Sequence, residues 1–242
     1  MKEAWSKEAF MMELRKVGEA RYHDKHPLHL RMHEGKLLPA ELRAWIANRF
    51  YYQKNIPVKD AIVLSKLPSK EDRRLWLQRI IDHDGREGDE GGIEAWIRLG
   101  EAAGIPREDM VNERLVIPSV RFAVDAYVNF CRNQPWVIAV ASSLTELFAP
   151  ILVSQRIAVF EELYPWIRPE GLAYFRGRLH QAPRDADHGL ELVLRECTSR
   201  REQELAIAAL SFKCDVLWAI LDALSWSAPR EADHRHEQLG VV

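Results

Sequence analysis

The chain has 242 residues, enough for one large domain or two small ones with a substantial core. Apolar residues make up 47% and charged residues 29%, which excludes a disordered or fibrous chain. A formal net charge of −2 gives no electrostatic reason to bind nucleic acid or an anionic membrane. The opening residues, MKEAWSKEAFMMELRK, carry charge throughout and lack a signal peptide's apolar core. Cys131, Cys197 and Cys214 are odd in number and widely spaced, as reduced thiols of a cytoplasmic protein would be.

In chain order, nearly every segment reads as helix. Ser6 is placed as an N-cap, with Trp5 and Phe10 as a hydrophobic staple; Phe10, Leu14 and Val17 then follow one face to Tyr22-His23. The next stretch, HDKHPLHLRMH, carries His23, His26, His29 and His33. Leu38-Pro39 opens a helix in which Arg49 and Gln53 sit among Phe50, Tyr51 and Tyr52. Pro57 is read as starting a further short helix that stops near Pro68. Ser69 and Asp72 form a capping-box-like pair for RRLWLQRIIDHD, which Gly85 ends. An acidic glycine loop, REGDEGG, leads into a helix from Gly92 to Gly104. Prolines 106, 118, 135, 169 and 183 head the following helices, and Ser199 begins the last long one, through Lys213 and Ile220. No alternating strand, hairpin signal or repeat is visible. The expectation is an all-α, single-domain bundle of about seven main helices over residues 1–226, then a polar, flexible tail over 227–242.

The most apolar stretch, from Trp136 to Phe160, holds only two charges, Glu146 and Arg156. Such a helix must be buried, and ionised groups on it are costly unless paired or facing a polar cavity. Glu146, Val153 and Arg156 fall roughly on one side, with Pro150 bending the rod between them. A membrane span fits by length alone, but Pro150, Glu146, Ser142, Ser143 and Thr145 argue against it.

The four N-terminal histidines are spaced for one helical face, but across Pro27, and no Glu-x-x-His pair of a di-iron bundle accompanies them. Solvated or capping histidines are the simple reading, with His23 as a possible substrate contact. His83 sits at a helix C-terminus, where free carbonyls favour the protonated imidazole, and Arg79 lies one turn earlier on the same side. Tyr174 and Arg178 are four apart and share a face. Arg49, Arg79, Arg156, Arg178 and Lys213 are many cations for one bundle; each alone could snorkel, and together they suit a polyanionic small molecule. No P-loop, dinucleotide fingerprint, GxSxG or CxxC occurs.

Seven segments carry a resemblance: RFYYQ at 49–53, RIIDHDG at 79–85, GGIEAWIRLGEA at 91–102, VRFAVDAYVNF at 120–130, SSLTELFAP at 142–150, YPWI at 164–167 and FKCDVLW at 212–218. In order, they resemble the pyrroloquinoline-quinone synthases. The resemblance implies a haem-oxygenase-like seven-helix bundle, a homodimer, and an oxidase without metal or organic cofactor. The implied reaction closes a ring in a polycarboxylated bicyclic precursor and oxidises it by eight electrons with O2, releasing H2O2 and pyrroloquinoline quinone. By position it implies catalytic roles for His83, Tyr174, Arg178 and Lys213. It implies substrate contacts at Tyr22, His23, Arg49, Tyr52, Gln53, Arg79, Tyr127, Thr145, Glu146 and Arg156.

One position departs from that pattern. The family usually has a histidine three residues before the arginine at 156, and here that residue is Val153. Val153 can neither donate a hydrogen bond nor move a proton, so a late oxidation step could stall, or a neighbour or water could compensate. Three other readings follow from the same fold: a thiaminase-like hydrolase needing a cavity cysteine, a di-iron oxygenase, and a quinone carrier with impaired oxidase activity.

Overall fold

The computed structural model describes residues 2–227; the expected flexible tail falls almost wholly outside them. Eleven α-helices follow one another: α1 Lys7–Arg21, α2 Pro27–His33, α3 Pro39–Leu64, α4 Lys70–Asp84, α5 Gly91–Ala102, α6 Arg107–Val111, α7 Pro118–Asn133, α8 Trp136–Ser142, α9 Ala149–Leu163, α10 Ala173–Glu196 and α11 Arg200–Ser227. Short 3-10 turns occupy His23–Lys25, Ser143–Phe148 and Pro169–Leu172. Among the described residues there is no strand, only one isolated bridge that closes the glycine loop between Arg86 and Asp89.

Local chemistry sets many of these boundaries. The Ser6 hydroxyl accepts from the Ala9 amide at 3.2 Å, and Trp5 stacks with Phe10 at 6.4 Å. Ser69 caps α4 by accepting from Asp72 N at 3.1 Å. Gly85 ends α4 with φ at 89°, where a Cβ would lie 2.5 Å from the Asp89 carbonyl oxygen. Prolines 27, 39 and 118 occupy first turns, as a residue without an N–H prefers.

Two prolines do not behave as starts. Pro57 lies inside the continuous α3, and Pro183 inside α10. Each removes one helical hydrogen bond, but the flanking turns are packed into the core on both sides, so tertiary burial holds the helix through the break. The apolar stretch also differs from a single kinked rod. It divides into α8, the 3-10 turn and α9, and Pro150 sits in the first turn of α9. Ser142 Oγ donates back to the Ala139 carbonyl at 2.6 Å just where α8 stops, a contact that loosens helices. The stretch Trp136–Leu163 is long and apolar enough to span a membrane, but 56% of its most apolar window is buried within the fold.

Helix α8 is the innermost element, with Ile138 through Ser142 all buried. It lies against α10 and α11; α3 packs on α4, α5 and α7, and α1 lies along α11. Helix α2 brings its histidines inward. His26 does cap, its Nδ1 accepting from Leu28 N at 3.1 Å. The solvated reading fails for the others: His23 and His29 are buried, and His33 is half-buried. Their rings form a file, His23 to His29 at 5.5 Å and His29 to His33 at 4.2 Å.

Burial, then the Arg156 charge, pushes His29 down to about 2 and His33 down to about 4. These histidines stay neutral in the fold while the unfolded chain takes up protons below its ordinary histidine range. Their stabilisation is therefore complete above about pH 6.5 and is lost as pH falls from there through the folded values. The unfolding free energy from urea titrations is expected to drop between pH 7 and pH 4.5, with a limiting slope of roughly 1.4 kcal/mol per pH unit for each such histidine. His29→Gln should flatten that slope; an equal slope in the variant counts against this assignment.

Candidate active site

The middle of α3, helices α5 and α9, the C-terminal ends of α1 and α4, the N-terminal end of α10 and the 3-10 turns at His23–Lys25 and Ser143–Phe148 line a cavity of about 90 Å³. Eleven of the expected residues line it: Tyr22, His23, Arg49, Tyr52, Gln53, His83, Thr145, Glu146, Arg156, Tyr174 and Arg178. Arg79, Tyr127 and Lys213 do not. They form a second layer that touches the first. Lys213 Nζ donates to the Tyr52 hydroxyl at 2.7 Å and lies 3.4 Å from the centre of the Tyr127 ring. Arg79 reaches Glu146.

The cations divide into two kinds. Arg79 Nη1 donates to Glu146 Oε2 at 3.0 Å, and Arg178 donates to Glu146 Oε1 at 3.4 Å and to Asp185 Oδ2 at 3.3 Å. Arg79 also donates to the Asp185 carbonyl oxygen. Burial pushes the Glu146 carboxyl up, while both guanidiniums pull it back. For Arg178, burial disfavours the charge but Glu146 and Tyr174 outweigh it, so its pKa is raised.

Arg49 and Arg156 have no such partners. Among the described residues neither has a carboxylate within ion-pair distance; Arg49 lies over the Tyr52 ring at 4.1 Å, and Arg156 over Trp45 at 5.0 Å. Arg156 Nη2 donates to His29 Nδ1 at 3.3 Å, and its Nε has no partner. Burial, then the Arg49 charge, brings Arg156 down to about 10. Lys213 is driven well below its ordinary value by burial, then by Arg49 and Lys59. Two unmatched guanidiniums at one wall are an anion site awaiting its anion.

His83 faces the same space, but not as a protonated helix-end histidine. Burial, then Arg178, brings it down to about 4, overriding the helix terminus. Its Nδ1 is 2.9 Å from the Arg79 carbonyl, which fixes the proton there and leaves Nε2 as a bare lone pair. That Nε2 is buried and has no partner. The Tyr174 hydroxyl donates to Gln53 Oε1 at 2.8 Å, and its ring meets Trp96 edge-on at 4.8 Å. The remaining wall is apolar, from Ile56, Trp96, Ala149, Leu152, Val153 and Phe175. Such a site can hold a planar polyacid and remove a proton from carbon, with cationic and hydroxyl donors beside the base.

Val153 is in the cavity wall, on the same helix as Arg156. None of the three cysteines lines the cavity, and burial pushes Cys197 up to about 12 and Cys214 up to about 11, away from thiolate chemistry. Among the described residues no group of three His, Cys, Asp or Glu is arranged to hold a metal ion.

Sequence reading missed the supporting layer. Lys59 and Asp60 form a buried pair at 2.6 Å, and Lys59 also donates to Ser143 Oγ at 2.8 Å. They are adjacent charges in an apolar run, the same signal that singled out Glu146. Asp185, seven residues after Arg178, was visible at helical spacing. His29 had no signal that separated it from its neighbours.

Residues 11–223 match the TENA/THI-4/PQQC family. The pyrroloquinoline-quinone synthase of Acinetobacter baylyi is 53% identical over 204 residues, 84% of this chain and 80% of that protein. That of Klebsiella pneumoniae is 51% identical over 220 residues, 91% and 87% of the two chains. Solved structures agree on the fold. A TenA homolog from Pseudomonas syringae pv. tomato superposes with a TM-score of 0.69 at 17% identity, covering 93% of this chain and 99% of that one. A domain with a heme oxygenase-like fold from Shewanella denitrificans gives 0.68 at 13%, covering 91% and 90%. Identity at this level over this length fixes the assignment: the chain belongs to the TENA/THI-4/PQQC family, among its pyrroloquinoline-quinone synthases.

Proposed function

We propose that the protein is a pyrroloquinoline-quinone synthase that performs the last step of the quinone's biosynthesis. It closes the third ring of a polycarboxylated bicyclic precursor and oxidises it by eight electrons, with O2 as acceptor and H2O2 released. The observation that carries this is the pairing of two guanidiniums that lack carboxylates, the half-buried Arg49 and the buried Arg156, with the bare Nε2 of His83 in one cavity. Arg49 and Arg156 take precursor carboxylates, with Tyr22, His23, Tyr52, Gln53 and Thr145 as further contacts. His83 removes the proton from carbon. Tyr174 and Arg178 face the reduced oxygen species, where a hydroxyl and a fixed positive charge stabilise developing anion. Arg79, Glu146, Tyr127 and Lys213 hold these groups in place. The precursor, once deprotonated, is itself the reductant, so the proposal needs no metal or organic cofactor. A cytoplasmic homodimer belongs to the same proposal.

Val153 supports a second reading, a binding protein that stalls before the full quinone. Two imidazoles lie 5.5 Å apart, His23 in the cavity wall and His29 in contact with Arg156. They supply the neighbouring groups that could compensate, so the full oxidase is favoured.

Three outcomes are expected. His83→Asn lowers kcat by about 10²–10⁴-fold with little change in KM, as loss of a general base should; a large KM change with kcat intact contradicts the role. Arg156→Met weakens anaerobic precursor binding by tenfold or more, about 1.4 kcal/mol, yet leaves the thermal midpoint unchanged or raised, because it removes an unpaired buried charge. Mixing precursor and protein without oxygen, then admitting it, should give multiple turnovers to the quinone absorbance with peroxide. One stalled turnover, rescued by Val153→His, favours the binding reading instead.

A further inference from the structure

Tyr174 is a wall of two spaces. It lines the cavity and also a surface cleft of about 640 Å³ between the glycine loop and α10. It rests on Gly92, where a Cβ would come within 3.3 Å of Tyr174 Cε2, so a side chain at residue 92 would crowd the ring by a few tenths of an ångström. The cleft floor is open at Gly177, where a Cβ would meet nothing nearer than Gln181 Nε2 at 3.9 Å.

The two spaces differ in charge. The cavity wall carries Arg49, Arg156 and Arg178 against Glu146. The cleft is lined by Asp82, Asp89 and Glu90 against Arg98, which pairs with Glu90, and Arg184 pairs with Asp82, so the rim is weakly acidic through Asp89. A polycarboxylate is attracted to the first and repelled by the second, while a neutral molecule is indifferent to both. The proposed oxidation sets a traffic problem that this difference answers. One dioxygen accepts two electrons and two protons in leaving as hydrogen peroxide, so an eight-electron oxidation consumes several in succession. Each must enter, and each peroxide must leave, while the organic intermediate stays bound.

We propose that the cleft outside Tyr174 is the passage for dioxygen and peroxide, separate from the route of the organic substrate. Tyr174 and the acidic rim select for small neutral molecules, and the passage opens beside His83 and Arg178, where oxygen is reduced. This rests on the oxidase reading above.

Gly177→Phe lays a ring across the cleft from an exposed position of α10, and Ala173→Trp fills it from the neighbouring turn. With precursor saturating, the KM for oxygen is expected to rise fivefold or more in either variant. Anaerobic precursor affinity and its KM stay within twofold of wild type. An unchanged oxygen KM, or a precursor KM that rises in parallel, overturns the separate passage. A second readout does not depend on turnover. In protein labelled with 5-fluorotryptophan, dissolved oxygen should broaden the Trp96 resonance, and Gly177→Phe should at least halve that broadening. Equal broadening in both proteins overturns the passage whatever the protein does to the precursor, whereas absent turnover with intact Trp96 behaviour counts only against the oxidase reading.

Discussion

A guanidinium does not give up its proton in a protein, so a bundle that buries several of them must supply an answer for each. That constraint organises this molecule. Arg79 on α4 and Arg178 on α10 are answered by Glu146 from the 3-10 turn and by Asp185. The four groups tie together three elements, and Arg184–Asp82 and Arg195–Asp72 add further ion pairs between α10 and α4. Paired ions of this kind add little net stability but are expensive to break, at about 3–5 kcal/mol when one partner is lost. Their value is positional. They hold the turn that carries Thr145 and Glu146 at a fixed height, and through the Arg79 carbonyl they orient the His83 ring.

The charges left unanswered define what the cavity is for. Arg49 and Arg156 rest on aromatic faces, which moderate their burial without neutralising it. A protein that keeps two such groups at one wall accepts a standing electrostatic cost in the empty state, and a polyacid relieves it. Selectivity follows from the same arrangement. A monoacid leaves one guanidinium bare, so the second carboxylate of a proper ligand is favoured by more than a single hydrogen bond.

Much of this was legible in the chain. The helices announced themselves through caps, prolines and apolar spacing, and Glu146 and Arg156 stood out because the surrounding stretch is so apolar. What spacing could not give was convergence. Arg49 and Arg156 lie on helices far apart in sequence, and only the packing of α3 against its neighbours brings them to one wall. His83 shows a different failure. Its helix-end position argues for a proton, and burial with Arg178 nearby argues against; the second effect is larger, and nothing local reports it. Pro57 and Pro183 misled for a related reason: a local rule about helix starts gave way to packing from both sides.

The cavity's depth has a kinetic consequence. In its lining His23, Gln53, His83, Arg156 and Arg178 are all buried. A bicyclic polyacid must shed its own water to reach them, and that cost is deducted from the observed affinity. Association then has two steps: encounter at the mouth, steered by charge and weakened by salt, and seating within, which salt touches little. A protein built this way reads its ligand twice, once by charge at the mouth and once by whether its carboxylates reach the guanidiniums inside.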